Sequence, residues 1–390
     1  MEKEEIVETM LGNQYSVLSF FAGAGFLDLG FEHSGFRVAF VSEWHKPFMR
    51  VYKYAREKMG MKSPAFGFSC EDVNSFLGDN KQIDAMVNRL RANGQLVGFI
   101  GGPPCPDFSV GGKNRGRHGD NGKLSLSYVT LIVENKPAFY LFENVKGLWR
   151  TARHREFYEE LKQMLHEAGY ATTERLTNSL EFGAPQDRDR ILLFGIRKKL
   201  LTQGFVDGNA LVAFPWEKYM SGNLDDIKAA PWPERTLFIP CSTTNIPDQI
   251  KEFEALTVQH WFDKNDVLNH PNAGRYFTPR QGLARMKTID EGDVSKKSYK
   301  RLHRWRYSPT VAYGNNEVHL HPYFERRLSV AEALALQSLP KDYELPNDMT
   351  LTDSFKTIGN GVPYLLAGGA AKSIHDYLDK AISPDKFGKA

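Results

Sequence analysis

Nine consecutive residues, Gly101-Gly102-Pro103-Pro104-Cys105-Pro106-Asp107-Phe108-Ser109, carry the clearest chemical signal in the chain. The apolar run before them, Leu96-Val97-Gly98-Phe99-Ile100, reads as a short buried strand. The glycines and prolines stop that strand abruptly. Cys105 therefore stands on a stiff loop at the carboxyl end of a strand, the edge where open α/β sheets gather ligands. A thiol with a fixed direction at that edge is a candidate nucleophile. Taken alone, a free cysteine reads first as a small buried hydrophobe, so the reading depends on what else the chain delivers to the same edge.

Other strands deliver acids and cations. Phe139-Tyr140-Leu141-Phe142 reads as a buried strand that ends at Glu143-Asn144-Val145. Gln186-Asp187-Arg188-Asp189-Arg190 leads into the strand 191–196, and in extended chain the alternating Arg188 and Arg190 share one face. A first strand over 16–21 runs into Ala22-Gly23-Ala24-Gly25-Phe26 and then a helix from Leu27, an order that lets backbone approach a ligand closely. No Gly-x-x-x-x-Gly-Lys pattern follows, which counts against nucleotide hydrolysis. The strand 37–42 ends at Glu43-Trp44, where the acid is placed to bond ribose hydroxyls and the indole to stack on an adenine. A weaker element over 66–73 brings Asp72, a candidate acceptor for an adenine amino group.

Helices are expected over 83–91, 125–134 and 157–168, and residues 111–122, rich in Gly, Asn, Arg and Lys, read as a mobile basic loop beside the cysteine. The regular alternation of strand and helix stops near residue 199. It resumes at Arg327, where Ser329-Val330-Ala331-Glu332 forms a capping box for a helix over 331–339. A glycine turn over 355–363 and a small-residue helix over 364–377 follow. The expected organisation is a bipartite domain, 1–199 with 327–390, and a less regular domain over 200–326.

The chain of 390 residues is 41% hydrophobic and 25% charged, ordinary for a soluble globular protein. No apolar run approaches the roughly 20 residues that span a bilayer, and Met1-Glu2-Lys3-Glu4-Glu5 lacks the apolar core of a secretion signal. Cys70, Cys105 and Cys241 are few, odd in number and far apart, so a reducing compartment is expected, with no disulfide frame and no metal site. A net charge of +3 is permissive for a polyanionic partner and not diagnostic. The segment 275–306 is more pointed. It holds Arg275, Arg280, Arg285, Lys287, Lys296, Lys297, Lys300, Arg301, Arg304 and Arg306 against Asp290, Glu291 and Asp293, and it reads either as a solvated basic face or as a phosphate-contacting surface.

Taken in order, these pieces resemble the cytosine-C5 DNA methyltransferases of the prokaryotic restriction-modification type over nearly the whole chain. The resemblance is carried by Phe21-Ala22-Gly23-Ala24-Gly25, Pro103-Pro104-Cys105, Glu143-Asn144-Val145, Gln186-x-Arg188-x-Arg190, Arg327 to Pro340, and Gly359-Asn360-Gly361-Val362-Pro363. It implies an α/β, Rossmann-like S-adenosylmethionine-dependent methyltransferase fold. That fold has a mixed, mostly parallel sheet with helices on both faces, and here the region 200–326 would be the target-recognition domain.

The implied chemistry is the addition of the Cys105 thiolate to carbon 6 of a cytosine flipped out of duplex DNA, followed by methyl transfer to carbon 5. Glu143 would donate to ring N3, Arg190 would hold the exocyclic oxygen, and Arg188 would support the loop or a phosphate. The implied cofactor site comprises Phe21, Ala22, Gly23, Ala24, Gly25, Phe26, Glu43, Trp44, Asp72, Pro103, Asn360 and Gly361. Ser109, Lys113, Arg115, Arg117, Arg275, Arg280, Arg301 and Arg304 are the candidate DNA contacts.

The resemblance further implies a cytoplasmic, nucleoid-associated monomer. A restriction endonuclease would act on the same site without a stable complex. Departures are Ser19 where the family has an acid, Phe26 where it has a glycine, and Pro106 where it has glutamine. The alternatives are an RNA (tRNA) cytosine-C5 methyltransferase, a non-catalytic DNA-binding relative, and a glycine-loop oxidoreductase, which leaves Pro103-Pro104-Cys105 and Glu143-Asn144-Val145 without a role.

Overall fold

A computed structural model describes residues 14–104, 120–279, 282–296, 298–311 and 318–387. The first half alternates strand and helix: β1 (Tyr15–Phe20), α1 (Phe26–Glu32), β2 (Arg37–Ser42), α2 (Lys46–Lys58), β3 (Phe68–Ser69), α3 (Gln82–Ala92), β4 (Leu96–Gly101), α4 (Asp120–Asn135) and β5 (Phe139–Val145). Next come α5 (Lys146–Arg150), α6 (Ala152–Glu167), β6 (Tyr170–Asn178), β7 (Gln186–Asp187) and β8 (Asp189–Arg197). Short elements then take over: β9 (Val206–Asp207), β10 (Ala210–Leu211), α7 (Leu224–Ala229), α8 (Val258–Lys264), α9 (Leu283–Lys287) and β11 (Ser308–Pro309). Three helices close the chain, α10 (Val330–Leu336), α11 (Leu351–Asn360) and α12 (Tyr364–Ala381).

The sheet has nine strands in the order β3-β2-β1-β4-β5-β8-β6-β10-β9. β3, β2, β1, β4 and β5 run parallel, and β8 is antiparallel to both β5 and β6. Side chains alternate across the sheet. Tyr15 and Val17 of β1 join a core with Leu27 and Phe31 of α1 and with Leu366, Ala370, Ile374 and Tyr377 of α12. Leu18 and Phe20 join the opposite core, built with α3, α4 and α6. Helices therefore cover both faces, as expected.

The carboxyl ends of β1, β2, β4 and β5 lie along one edge, because parallel register pairs Phe20 with Gly101 and Gly101 with Phe142. The C-terminal helix returns to that edge against α1. A Cβ on Gly30 would lie 2.6 Å from the Ala367 Cβ and 2.7 Å from the Gly368 nitrogen, so only glycine admits this approach. The capping box forms as read: the Ser329 hydroxyl accepts the Glu332 amide, and the Glu332 carboxylate accepts the Ser329 amide at 2.7 Å.

Several expectations are corrected. β6 carries no apolar run long enough to reveal it, and its mid-section is half-exposed. α4 begins at Asp120, inside the stretch read as a loop. The glycine turn over 355–363 is instead the second half of α11, which Gly361 caps. The boundary at 200 falls too early. β10 pairs with β6, and Leu211, Phe214, Trp216 and Met220 pack on the main core. Further along, Val258, Trp261, Phe262 and Leu302 share a core with α10 and with Ala24 and Phe26. Among the described residues, no helix is long and apolar enough to cross a membrane.

The close approach at Gly30 makes a direct prediction. Gly30→Ala should lower stability by about 1–3 kcal/mol through overpacking, read as a lower unfolding midpoint by calorimetry.

Candidate active site

β5 runs through Glu143, Asn144 and Val145 rather than ending before them, and its antiparallel register with β8 sets Glu143 opposite Leu192 and Val145 opposite Arg190. Residues two apart share a face of a strand, so Glu143 and Arg190 meet diagonally. Arg190 Nε bonds Glu143 Oε1 at 2.7 Å, and both side chains are nearly buried. Burial pushes the Glu143 carboxyl above the ordinary glutamate range, opposed by the Arg190 and Arg188 cations. This arrangement holds a carboxyl whose burial favours its protonated form beside a guanidinium whose remaining donors can meet an oxygen.

The chain leading toward Cys105 passes directly against this acid at Gly102. A Cβ on Gly102 would lie 2.4 Å from Glu143 Oε2, so the glycine is a condition for that carboxylate position. Asn144 Nδ2 donates to the Pro103 carbonyl at 3.4 Å, tying the proline loop to β5. Cys105 lies outside the described residues, as do Ser109, Lys113, Arg115, Arg117 and Arg280.

Arg188 and Arg190 do not form the matched pair expected of a continuous strand, because Arg188 falls between β7 and β8. Arg188 is 2% exposed, and its Nη2 donates to the Gly359 carbonyl at 2.7 Å. It ties the β7–β8 junction to the C-terminal return, a role that neither of its expected ones, support of the loop or of a phosphate, named.

The glycine loop meets the same edge. Phe21, Ala22 and Gly23 are half-exposed, while Ala24, Gly25 and Phe26 are buried. The Glu43 carboxylate fixes the loop, accepting the Gly23 amide at 2.8 Å and the His45 amide at 2.7 Å. Trp44 beside it is 71% exposed. Asp72 caps a short helical turn by accepting the Asn74 amide at 2.9 Å and is exposed. Asn360 is exposed at the end of α11. An exposed indole, carboxylates with free lone pairs and an open glycine backbone fit an adenosine carrying a cationic sulfonium.

Phe26 is a correction. Its ring is buried edge-on to Tyr343, and a Cβ on Gly361 would lie 2.1 Å from it, so the ring fills the seam between loop and C-terminal return. Its side chain is not a cofactor contact.

A buried network under the loop escaped the sequence reading. Asp28 accepts from the Ser19 hydroxyl at 2.8 Å and from the Tyr52 hydroxyl at 2.9 Å. Arg56 donates to the Gly25 carbonyl and to Glu32, each at 2.9 Å, and Tyr343 donates to the Ala24 carbonyl at 2.7 Å. Ser19 thus replaces the family's acid beside a carboxylate supplied nine residues later. The available signal was one acid inside the apolar run Phe26-Leu27-Asp28-Leu29. Arg56 had none.

Three candidate DNA contacts are corrected as well. Arg301 is fully buried, and its guanidinium donates to the carbonyls of Ile289, His321, Phe324 and Met286. Burial lowers it to about 10. Arg304 is buried on Glu291 and Ser242. Arg275 donates to the Pro346 and Met349 carbonyls. Each of the three guanidinium groups is taken up by protein partners. Arg285, Lys287 and Lys296 are the exposed cations among the described residues of that segment.

Because Trp44 buries little, its truncation separates binding from folding. Trp44→Ala should weaken S-adenosylmethionine binding by about 1–3 kcal/mol, the worth of one base–aromatic stack, with an unchanged unfolding midpoint. Isothermal titration calorimetry reads the first and differential scanning the second.

Comparison with known proteins agrees with this geometry. The model of the family described as C-5 cytosine-specific DNA methylase matches residues 15–376. Type II methyltransferase M.NmeDI of Neisseria meningitidis serogroup C is 53% identical over 367 residues, 93% of this chain and 84% of that protein. Type II methyltransferase M.FnuDI of Fusobacterium nucleatum is 28% identical over 93% of this chain and 94% of its own. Among solved structures, an Escherichia coli prophage protein described as a DNA modification methyltransferase superposes with a TM-score of 0.62 at 20% identity, covering 94% of this chain and 99% of that one. The Entamoeba histolytica methyltransferase EhMeth gives 0.54 at 12% identity over 94% and 99%. The chain belongs to the C-5 cytosine-specific DNA methylase family.

Proposed function

We propose that the chain is a sequence-specific DNA (cytosine-5-)-methyltransferase acting on a cytosine flipped from duplex DNA, with Cys105 as nucleophile. The observation that carries this reading is the buried Glu143 carboxyl, raised by burial, bonded to Arg190 and pressed against the Gly102 backbone that leads to Cys105. Such an acid suits a base that must accept a proton at N3 while its ring is attacked.

Bound S-adenosylmethionine supplies an electrophilic methyl group on a sulfonium. The chain's own residues do the rest. The Cys105 thiolate forms a bond to carbon 6, and the electron pair of the carbon 5–carbon 6 bond moves into the ring. Glu143 gives its proton to N3, so that charge does not build there. Arg190 holds the exocyclic oxygen. The resulting enamine makes carbon 5 nucleophilic toward methyl. After transfer, N3 returns its proton to Glu143, the carbon 5 proton leaves to a base and the thiolate is expelled, restoring the double bond. Trp44, Glu43 and Asp72 would hold the adenosine, with the backbone of 21–25 and Asn360–Gly361 around the rest.

The region 200–326, less the stretch up to Met220 that belongs to the main sheet and core, is read as the target-recognition domain. Arg285, Lys287 and Lys296 are its candidates for phosphates in place of the buried arginines. The Type II names of the relatives support a restriction-modification setting, with an endonuclease that reads the same site without a stable complex. A monomer in the cytoplasm, at the nucleoid, completes the reading.

Labelled methyl transfer to mixed-sequence duplex DNA, with base-resolution mapping, tests it. The expected outcome is 5-methylcytosine within one short site, abolished by Cys105→Ser. Transfer to a tRNA pool at an equal rate would overturn the DNA assignment. The pH profile adds a second test. Glu143 acts in its protonated form, and burial raises its carboxyl, so the rate should fall as pH rises past that raised pKa. Glu143→Gln should cost about 10²–10⁴-fold in kcat and remove the alkaline limb.

A further inference from the structure

A buried amide lies where the irregular region and the reaction strands come together. Asn178, 1% exposed at the end of β6, uses its Nδ2 twice, donating to Asp187 Oδ1 at 2.6 Å and to Asp189 Oδ1 at 2.8 Å. The two carboxylates belong to different neighbourhoods. Asp187 faces the irregular region: Lys228 Nζ stands 3.3 Å from its carboxylate, and the Thr310 hydroxyl donates to its carbonyl at 2.8 Å. β11 pairs in parallel with β7 there, and Ser308 donates its amide to the Pro185 carbonyl at 2.8 Å. Asp189 faces the reaction strands: Lys146, next after the Glu143-Asn144-Val145 run, stands 2.5 Å from its carboxylate, and Arg190 Nη1 donates to its carbonyl at 2.7 Å. Burial would raise the Asp189 carboxyl, but its bonds from Lys146 and Asn178 hold it below the ordinary range, so it is a carboxylate.

Two carboxylates two residues apart, held to one side chain, repel each other unless donors stand between them. A primary amide is the neutral side chain with two N–H bonds on one nitrogen that can serve both. We propose that Asn178 is a positioning residue that couples the placement of the 224–311 region to the placement of Arg190 on Glu143 and the target base. Resting on the methyltransferase reading above, this adds that engagement of the recognition region and readiness of the catalytic arginine share one joint. Without the amide, Asp187 and Asp189 separate, the carbonyl that orients Arg190 shifts, and the base-holding geometry loosens while cofactor binding stays intact.

Asn178→Asp is the discriminating variant. It keeps the oxygen that accepts the Leu180 amide at 3.0 Å, and with it the cap of the helical turn Ser179–Phe182, while removing both donors and adding a third carboxylate. In single-turnover methyl transfer to duplex DNA at saturating S-adenosylmethionine, the expected result is a rate about 10- to 100-fold below wild type, with cofactor affinity unchanged. The double variant Asn178→Asp with Asp189→Asn returns an amide opposite the introduced carboxylate and should recover most of the loss.

A wild-type rate in Asn178→Asp overturns the proposal. So does a loss that the double variant does not recover while both unfold at the same lowered midpoint. If Asn178→Asp does not fold, Lys228→Met at the surface replaces it: a reduced rate at an unchanged midpoint supports the joint, and an unchanged rate overturns it. Failure of wild type to methylate duplex DNA at all would instead overturn the functional reading.

Discussion

A carboxyl group taken out of water at the end of a strand must be given partners or a proton, and Glu143 imposes that demand on everything around it. Arg190 answers it across the β5–β8 ladder. Because the bond depends on antiparallel register, a slip of one residue would send the pair to opposite faces of the sheet. Gly102 answers it by leaving no side chain where the carboxylate lies. Arg188 adds its field from the buried side and donates to the Gly359 carbonyl, tying the C-terminal return to the same spot. One buried acid therefore links the middle strands, the proline loop and the last part of the chain.

The glycine loop is held by a parallel logic with different groups. Its carbonyls at Ala24 and Gly25 point into protein and are taken by Tyr343 and Arg56. Its amide at Gly23 points outward and is taken by Glu43. The loop is thus fixed from both sides while Phe21 to Gly23 stay accessible. Tyr343 lies more than 300 residues beyond the loop, so this part of the site exists only after the C-terminal segment has docked on α1 at Gly30 and on Phe26 at Gly361. The chain's end therefore holds in place the loop near its beginning.

What was legible in the sequence follows from how local the physics is. Strands with continuous apolar runs, such as β2 and β4, were read to within a residue, because burial on both faces leaves its mark on every position. β6 was missed because four of its residues, Thr173 to Leu176, are half-exposed and its sequence mixes polar with apolar. The acids at strand ends were legible because the edge of an α/β sheet is a predictable place. Phe26 was misassigned because its position in the loop suggested contact with a ligand, whereas its ring is captured by Tyr343, a partner that no local pattern names. Asn178 and Arg56 were silent for the same reason: each acts through groups distant in sequence.

The arginines of 275–306 show why a basic segment is weak evidence for a polyanion surface. The region has few regular elements, so many backbone carbonyls there lack a ladder to bond to, and buried carbonyls must find donors. A guanidinium offers five donors in a rigid plane. Arg301 serves four carbonyls at once and lies 3.5 Å from the Phe238 ring centroid, replacing secondary structure with a single side chain. Arg304 does the same through Glu291 and Ser242, and Arg275 through the segment before α11. In a core-poor region cations are drawn inward as crosslinks, and the charge count of the sequence registers them as surface. The cations left outside, Arg285, Lys287 and Lys296, stand on a scaffold that the inward-drawn ones hold together.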